Sequence, residues 1–200
     1  MASKTLYLAS ASPRRRALLD QIGVEYQARP VQVDESRQPR EPPRDYVIRL
    51  ARAKAETAWT LFGPDAARAV LAADTAVVLA DSILGKPRDR SEALAMLGRL
   101  SGRMHEVFTA VALRTERGLE SRVSASRVKL RELKPDEIES YWDTGEPSDK
   151  AGAYAIQGRA AVFIETLEGS YSGVMGLPLF ETAELLVRAG IGTWMHRHAS

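Results

Sequence analysis

Apolar and polar positions alternate or cluster along this chain in two distinct periods. Strand-like patterning is expected over residues 5–10, 25–30, 69–79, 82–84, 105–114, 119–130 and 161–167. The segment 69–79 is a nearly continuous apolar run, the mark of a central buried strand. The turn Glu116-Arg117-Gly118 separates two of the other strands. Helices are expected over residues 13–21, 44–61, 91–100, 135–143 and 178–189. Ser12 reads as an N-cap before Pro13 at the first helical position, and Gly23 as the stop. Gly63-Pro64, Gly102 and Gly190 close three of the later helices. Residues 32–43, 143–158 and 168–176 read as loops, and the tail from Gly192 is expected to fray. Strands and helices interleave throughout, which predicts an α/β protein with a mixed sheet.

Composition narrows the function classes. At 200 residues the chain suits one domain or two tightly joined lobes. Without cysteine it has no disulfide scaffold, thiol nucleophile or cysteine-ligated metal site. The formal charge of +2 gives no global pull toward nucleic acid or membrane, so any anion site must come from local placement. No apolar run approaches the roughly 20 residues that span a bilayer. Met1-Ala2-Ser3-Lys4-Thr5 lacks the apolar core of a secretory signal, so the cytoplasm is the expected compartment.

Three local features carry candidate chemistry. In Ser10-Ala11-Ser12-Pro13-Arg14-Arg15 a strand delivers the chain to a helix N-terminus, where free N–H groups and the dipole favour an anion. Ser10 and Ser12 add hydroxyls, while Arg14 and Arg15 add forked donors suited to phosphate. Two cations in a first turn oppose the dipole, a conflict that a bound polyanion removes. An ordinary capped helix with solvated arginines has the same local sequence. Lys54 falls on the stripe of Val47, Ala51, Ala58 and Leu61, where a lysine either snorkels or meets a negative partner. Asp74 is one carboxylate within the run 70–79. A buried acid there binds a divalent ion, activates water as a general base, or pairs structurally. Asp34 and Glu35 alone read as solvated loop acids, and Lys86 in Gly85-Lys86-Pro87 as a turn residue near the same strand. His105 is expected to pack or hydrogen-bond within a strand, and His196 and His198 make a poor metal site.

Together these segments resemble the Maf family, sometimes described as septum formation inhibitors. The matching stretches run from Leu8 to Arg15, Arg49 to Lys54, Ala73 to Thr75, Ile83 to Pro87 and Leu100 to Gly102 followed by His105. They continue from Asp149 to Gly158, Glu168 to Tyr171 and Gly176 to Pro178. The resemblance implies two lobes on a bent mixed sheet around a cleft, as in inosine triphosphate pyrophosphatases. It implies hydrolysis of a nucleoside triphosphate to the monophosphate and pyrophosphate with a divalent cation, Mg²⁺ or Mn²⁺. Asp74 then matches a general base, a metal ligand or both, and Glu35 a second metal ligand. Arg14, Arg15, Lys54 and Lys86 match phosphate-binding positions, with Ser10 and Ser12 in the same loop. A homodimer is also implied, and neither a nucleic acid nor a membrane partner is.

Arg14, Thr75 and Gln157 together resemble the branch acting on dTTP and UTP. The branch acting on 7-methylguanosine triphosphate tends to carry an aromatic residue at the first of these positions and Glu at the third. Methylated guanine is cationic and suits an aromatic platform and a carboxylate. Thymine and uracil are neutral, and the Gln157 amide offers one donor side and one acceptor side. The same chemistry on 7-methylguanosine triphosphate or CTP, and a nucleotide-sensing division regulator, remain alternatives at this level.

Overall fold

The structure is a computed structural model, and it describes residues 5–63 and 68–194. The strands are β1 (Thr5–Leu8), β2 (Gln27–Ala28), β3 (Arg68–Leu79), β4 (Ser82–Leu84), β5 (Met104–Thr115), β6 (Gly118–Leu130) and β7 (Ile164–Glu168). The helices are α1 (Pro13–Gln21), α2 (Pro43–Phe62), α3 (Arg90–Leu100), α4 (Pro135–Asp143), α5 (Tyr171–Met175) and α6 (Leu179–Arg188). Short 3-10 turns occupy Glu146–Asp149, Ala151–Ala153 and Arg159–Phe163. The strands form one sheet in the order β2-β1-β3-β5-β6-β7, with β4 also on β3. β1 is parallel to β2 and β3, and the other pairings are antiparallel. The expected mixed α/β architecture is therefore present.

β3 is the spine. One edge pairs with β5 from Ala69 to Val78. The other edge is shared: β1 pairs with Arg68–Leu71 and β4 with Val77–Leu79. Residues 72–76 lie between them, with no strand neighbour on that edge among the described residues.

The period of two along β3 assigns its side chains to opposite faces. Val70, Ala72, Ala76 and Val78 pack with Ala110 and Ala112 against α2, which contributes Val47, Ala51, Ala55, Ala58 and Trp59. Alanines on both surfaces let the helix lie close to the sheet. On the opposite face, Ala69, Leu71 and Ala73 join a cluster with Leu18, Leu19, Leu185 and Leu186. Val77 and Leu79 join a different one with Leu97, Leu100, Ile138 and Tyr154. Thr75 stands between these two clusters on the strand.

Several expectations change. Leu61 is exposed rather than part of the inner stripe of α2. The strand expected over residues 25–30 shrinks to β2. The strand expected from residue 161 starts at Ile164 because Arg159–Phe163 coils into a 3-10 turn. The loop expected over residues 168–176 contains α5, whose N-cap Ser170 accepts from the Gly173 N–H. Within the tail expected to fray, Thr193 is buried and the Trp194 N–H donates to Ile22 O at 3.0 Å. Pro64, His196, His198 and the rest of that tail lie outside the described residues. Among the described residues, no helix is long and apolar enough to cross a membrane.

Candidate active site

A cleft of 860 Å³ opens beside the unpaired edge of β3. That volume is in the range of small-molecule sites. Its lining includes all ten residues singled out from the sequence: Ser10, Ser12, Arg14, Arg15, Glu35, Lys54, Asp74, Thr75, Lys86 and Gln157.

Asp74 and Lys54 meet because both face the α2–sheet interface. Lys54 Nζ lies 2.7 Å from Asp74 Oδ1 and 2.6 Å from Glu35 Oε1. One ammonium thus gathers two carboxylates, one from the buried strand and one from the loop before α2. Asp74 is only 7% exposed, whereas the Glu35 side chain is 58% exposed. Burial pushes the Asp74 pKa upward, and the charges of Lys54 and Arg15 offset this only in part. Asp74 therefore holds a proton more readily than an ordinary carboxylate, as suits a group that accepts one from water.

The Glu35 loop is itself anchored. Tyr46 donates its hydroxyl to Glu35 O at 2.9 Å, and Arg49 Nη2 donates to Ser36 O at 3.0 Å. Buried Glu41 holds Arg49 through contacts of 2.6 and 2.8 Å. The Arg49 pairing holds the Glu41 carboxyl below its usual range against the opposing effect of burial. Glu35 reads as a solvated loop acid in isolation; these contacts bring it to the cleft.

Thr75 points to the other face. Arg15, expected at the phosphates, is half-buried there and donates from Nε to Gly176 O at 2.7 Å. It also donates from Nη1 to Ser10 Oγ at 3.2 Å and from Nη2 to Thr75 Oγ1 at 3.3 Å. Burial pulls the Arg15 pKa down, with Asp74 as the main opposing charge. Three of the five guanidinium N–H groups are engaged in these bonds, and Arg15 also lines the cleft. Gly176 takes a left-handed φ of 114°, a conformation that places its carbonyl on Arg15 and that glycine accepts without strain. Thr75 Oγ1 is 3.0 Å from Thr109 Oγ1, and the Thr109 hydroxyl donates to Gly173 O at 2.7 Å.

Ser12 does occupy the N-cap of α1 with Pro13 following, but its hydroxyl makes no cap bond. Its own N–H donates to Ser10 Oγ at 3.2 Å. The start of α1 therefore faces the cleft with no side-chain cap among the described residues and no acid in its first turn. Arg14 stands at the rim, 3.9 Å from Asp149. Lys86 is exposed on the opposite wall, where the Gly152 N–H donates to Gly85 O at 3.0 Å and ties its turn to the 150s segment. Gln157 is exposed to the cleft, and among the described residues its side chain has no hydrogen bond of its own.

His105 is buried in β5, with Nε2 at 2.8 Å from Tyr154 Oη. Burial pushes its pKa down to about 4, so it packs as a neutral ring rather than serving the cleft. Tyr46, Asp149 and Lys150 also line the cleft, without having been assigned roles from the sequence. The last two open the stretch from Asp149 to Gly158 that contains Gln157, and membership in that stretch is the signal that could have found them.

Among the described residues, no group of three His, Cys, Asp or Glu side chains is arranged to hold a metal ion. Asp74 and Glu35 do converge on one cation. Mg²⁺ is commonly held by one or two carboxylates, with substrate phosphates supplying further oxygens. The donor set fits an ion shared with a polyphosphate.

The sequence has close relatives. A dTTP/UTP pyrophosphatase of Alkalilimnicola ehrlichii is 56% identical over 90% of this chain and 91% of its own. Those of Hahella chejuensis and Methylobacillus flagellatus are 50% and 53% identical, covering 96% and 93% of this chain and 95% and 93% of theirs. Two solved structures share weaker likeness. The Staphylococcus aureus Ham1 protein has a TM-score of 0.43 at 12% identity, covering 64% of this chain and 72% of its own. A nucleoside-triphosphatase, or dITP/XTP pyrophosphatase, of Mycobacterium abscessus has a TM-score of 0.42 at 17% identity, covering 70% and 95%. Residues 5–189, which include every residue placed in the cleft, match the Maf-like protein family, and the chain belongs to that family.

Proposed function

We propose that this protein hydrolyses dTTP and UTP to the nucleoside monophosphate and pyrophosphate. The observation that carries the reading is the convergence of Asp74, Lys54 and Glu35 beside an uncapped helix start in one cleft. The names of the relatives support the same reaction and the same bases.

A triphosphate repels an incoming water until its charge is neutralised. Arg14, Lys86, the two remaining Arg15 N–H groups and the start of α1 supply that neutralisation from two walls. Asp74 orients water and accepts its proton as the water oxygen bonds to the α-phosphorus. The bond from that phosphorus to the bridging oxygen breaks, and pyrophosphate leaves with the electron pair. Lys54 keeps Asp74 oriented and offers its charge to the phosphates. Asp74 and Glu35 would hold the Mg²⁺ or Mn²⁺, which when bound supplies further charge neutralisation and acidifies water. In this scheme Gln157, Arg14 and Thr75, which all line the cleft, read the base. On this reading the enzyme works in the cytoplasm on free nucleotides.

The test is a panel of dTTP, UTP, CTP and 7-methylguanosine triphosphate with Mg²⁺ or Mn²⁺, with pyrophosphate and inorganic phosphate measured separately. Pyrophosphate release, fastest from dTTP and UTP, is expected. Release of inorganic phosphate alone would overturn attack at the α-phosphorus, and preference for the methylated guanine would overturn the base assignment.

A further inference from the structure

Gln157 has no side-chain hydrogen bond among the described residues, so no polar partner aims its amide and its backbone carries that task. That backbone is gripped from both sides by two residues outside the cleft chemistry. Tyr141, near the end of α4, is 4% exposed, and its ring packs edge-on against Phe163. Its hydroxyl accepts the Ala155 N–H at 3.1 Å and donates to Glu146 Oε1 at 2.7 Å. Glu146 Oε2 accepts the Arg159 N–H at 3.1 Å, and Oε1 accepts the Ala160 N–H at 3.5 Å. The chain is thus tied two residues before Gln157 and again two and three residues after it.

Gly158 completes the grip. A β-carbon there would lie 2.4 Å from both Glu146 carboxylate oxygens, so the carboxylate sits flat against the bare backbone beside Gln157. Burial pushes the Tyr141 pKa up and keeps the hydroxyl a neutral donor. Burial acts to raise Glu146 as well, but the Tyr141 hydroxyl and the two amides outweigh it and hold the carboxyl ionised. Gly145, in the left-handed region at φ 74°, turns the chain after α4 so that Glu146 can reach back.

We propose that Tyr141 and Glu146 are positioning residues for base selection, acting through Gln157 without touching the nucleotide. The proposal rests on the dTTP and UTP reading above. A hydrogen-bonding amide discriminates between bases only if it is held in place, since misplacement by about 1 Å can cost on the order of 100-fold. Loosening the clamp lets Gln157 swing, so the site loses its preference while the phosphate chemistry at Asp74 continues.

The experiment compares kcat/KM for dTTP and CTP in the wild type, Tyr141→Phe, Glu146→Gln, Gln157→Ala and Glu146→Gln combined with Gln157→Ala. Each clamp variant is expected to lose about tenfold in the dTTP-to-CTP ratio, or about 1.4 kcal/mol. The loss should enter through KM for dTTP, with kcat within about threefold of wild type. The combined variant is expected to lose no more selectivity than Gln157→Ala alone, as residues acting through one another require. Equal losses on both nucleotides, additive losses in the combined variant, or unchanged selectivity would overturn the proposal. Tyr141→Phe keeps the ring packing and serves if Glu146→Gln does not fold. If the wild type prefers neither dTTP nor UTP, the functional reading fails; the clamp is then judged on whether these variants alter the ranking that the wild type does show.

Discussion

Asp74 and Thr75 are consecutive residues of β3, yet the pleat sends them into opposite environments. On the Asp74 side, ionisable groups hold one another: the Lys54 side chain bridges a buried and an exposed carboxyl group. On the Thr75 side, one cation is held largely by neutral oxygens, from Gly176, Ser10 and Thr75 itself. The first arrangement can exchange partners with an arriving polyanion or metal at little structural cost. The second is a structural joint between two hydrophobic clusters, and Arg15 fastens α1 to the end of α5 across it. The difference teaches that buried charge near a site is not all of one kind.

Asp74→Asn should have the largest effect. Turnover should fall by about 10²–10⁴-fold, the range for losing a general base. Pyrophosphate release measures it, and near-normal turnover would remove Asp74 from that role. The pH dependence follows from the upward shift caused by burial. As pH falls, Asp74 takes up its proton above the ordinary carboxylate value of about 3.9, so the acid limb of kcat/KM lies above that value. Stability moves the other way. A raised carboxyl favours folding most when protonated, so its contribution is present at low pH and fades as pH rises through the folded pKa. The difference in unfolding free energy between wild type and Asp74→Asn, measured across that limb, should carry this opposite sign.

Arg15→Met tests the joint. It leaves the Gly176 carbonyl without its side-chain donor and removes the guanidinium from Ser10 Oγ and Thr75 Oγ1, which should cost about 1–3 kcal/mol of stability, read from the denaturant midpoint. A fall in activity with no loss of stability would show that Arg15 serves the phosphates alone and does not hold the joint.

Glu35→Gln should have the smallest effect. The side chain is largely solvated, so the fold should be indifferent. The Mg²⁺ concentration for half-maximal rate is expected to rise about tenfold, equivalent to about 1.4 kcal/mol. An unchanged Mg²⁺ titration would remove Glu35 as a metal ligand.

The Asp74 side was legible in the sequence because its residues violate a local pattern. An acid in an apolar strand and a lysine on an inner helical stripe both mark themselves against their neighbours, and the fold brings the two marks together. The Thr75 side was not. Arg14 and Arg15 look alike in sequence, and what holds one of them is a carbonyl 161 residues away. α5 spans five residues, too few to display a helical period, and it forms over the polar row of Thr75, Thr109 and Ser124, which are register partners on three strands. Tyr141 and Glu146 were missed for a related reason, since the left-handed turn at Gly145 breaks any spacing rule that would join them.

The shared edge of β3 has a further consequence. A strand edge with free backbone groups is an invitation to another chain, and proteins usually blunt it with charge, proline or a covering element. Here β1 and β4 occupy the two ends of that edge, and among the described residues the stretch between them carries no strand and borders the cleft at Asp74, Thr75 and Ala76. A small ligand can enter there, whereas an extended polypeptide cannot lie flat along five residues walled at both ends. The geometry that leaves room for a small ligand also denies a second strand the straight edge it would need to pair.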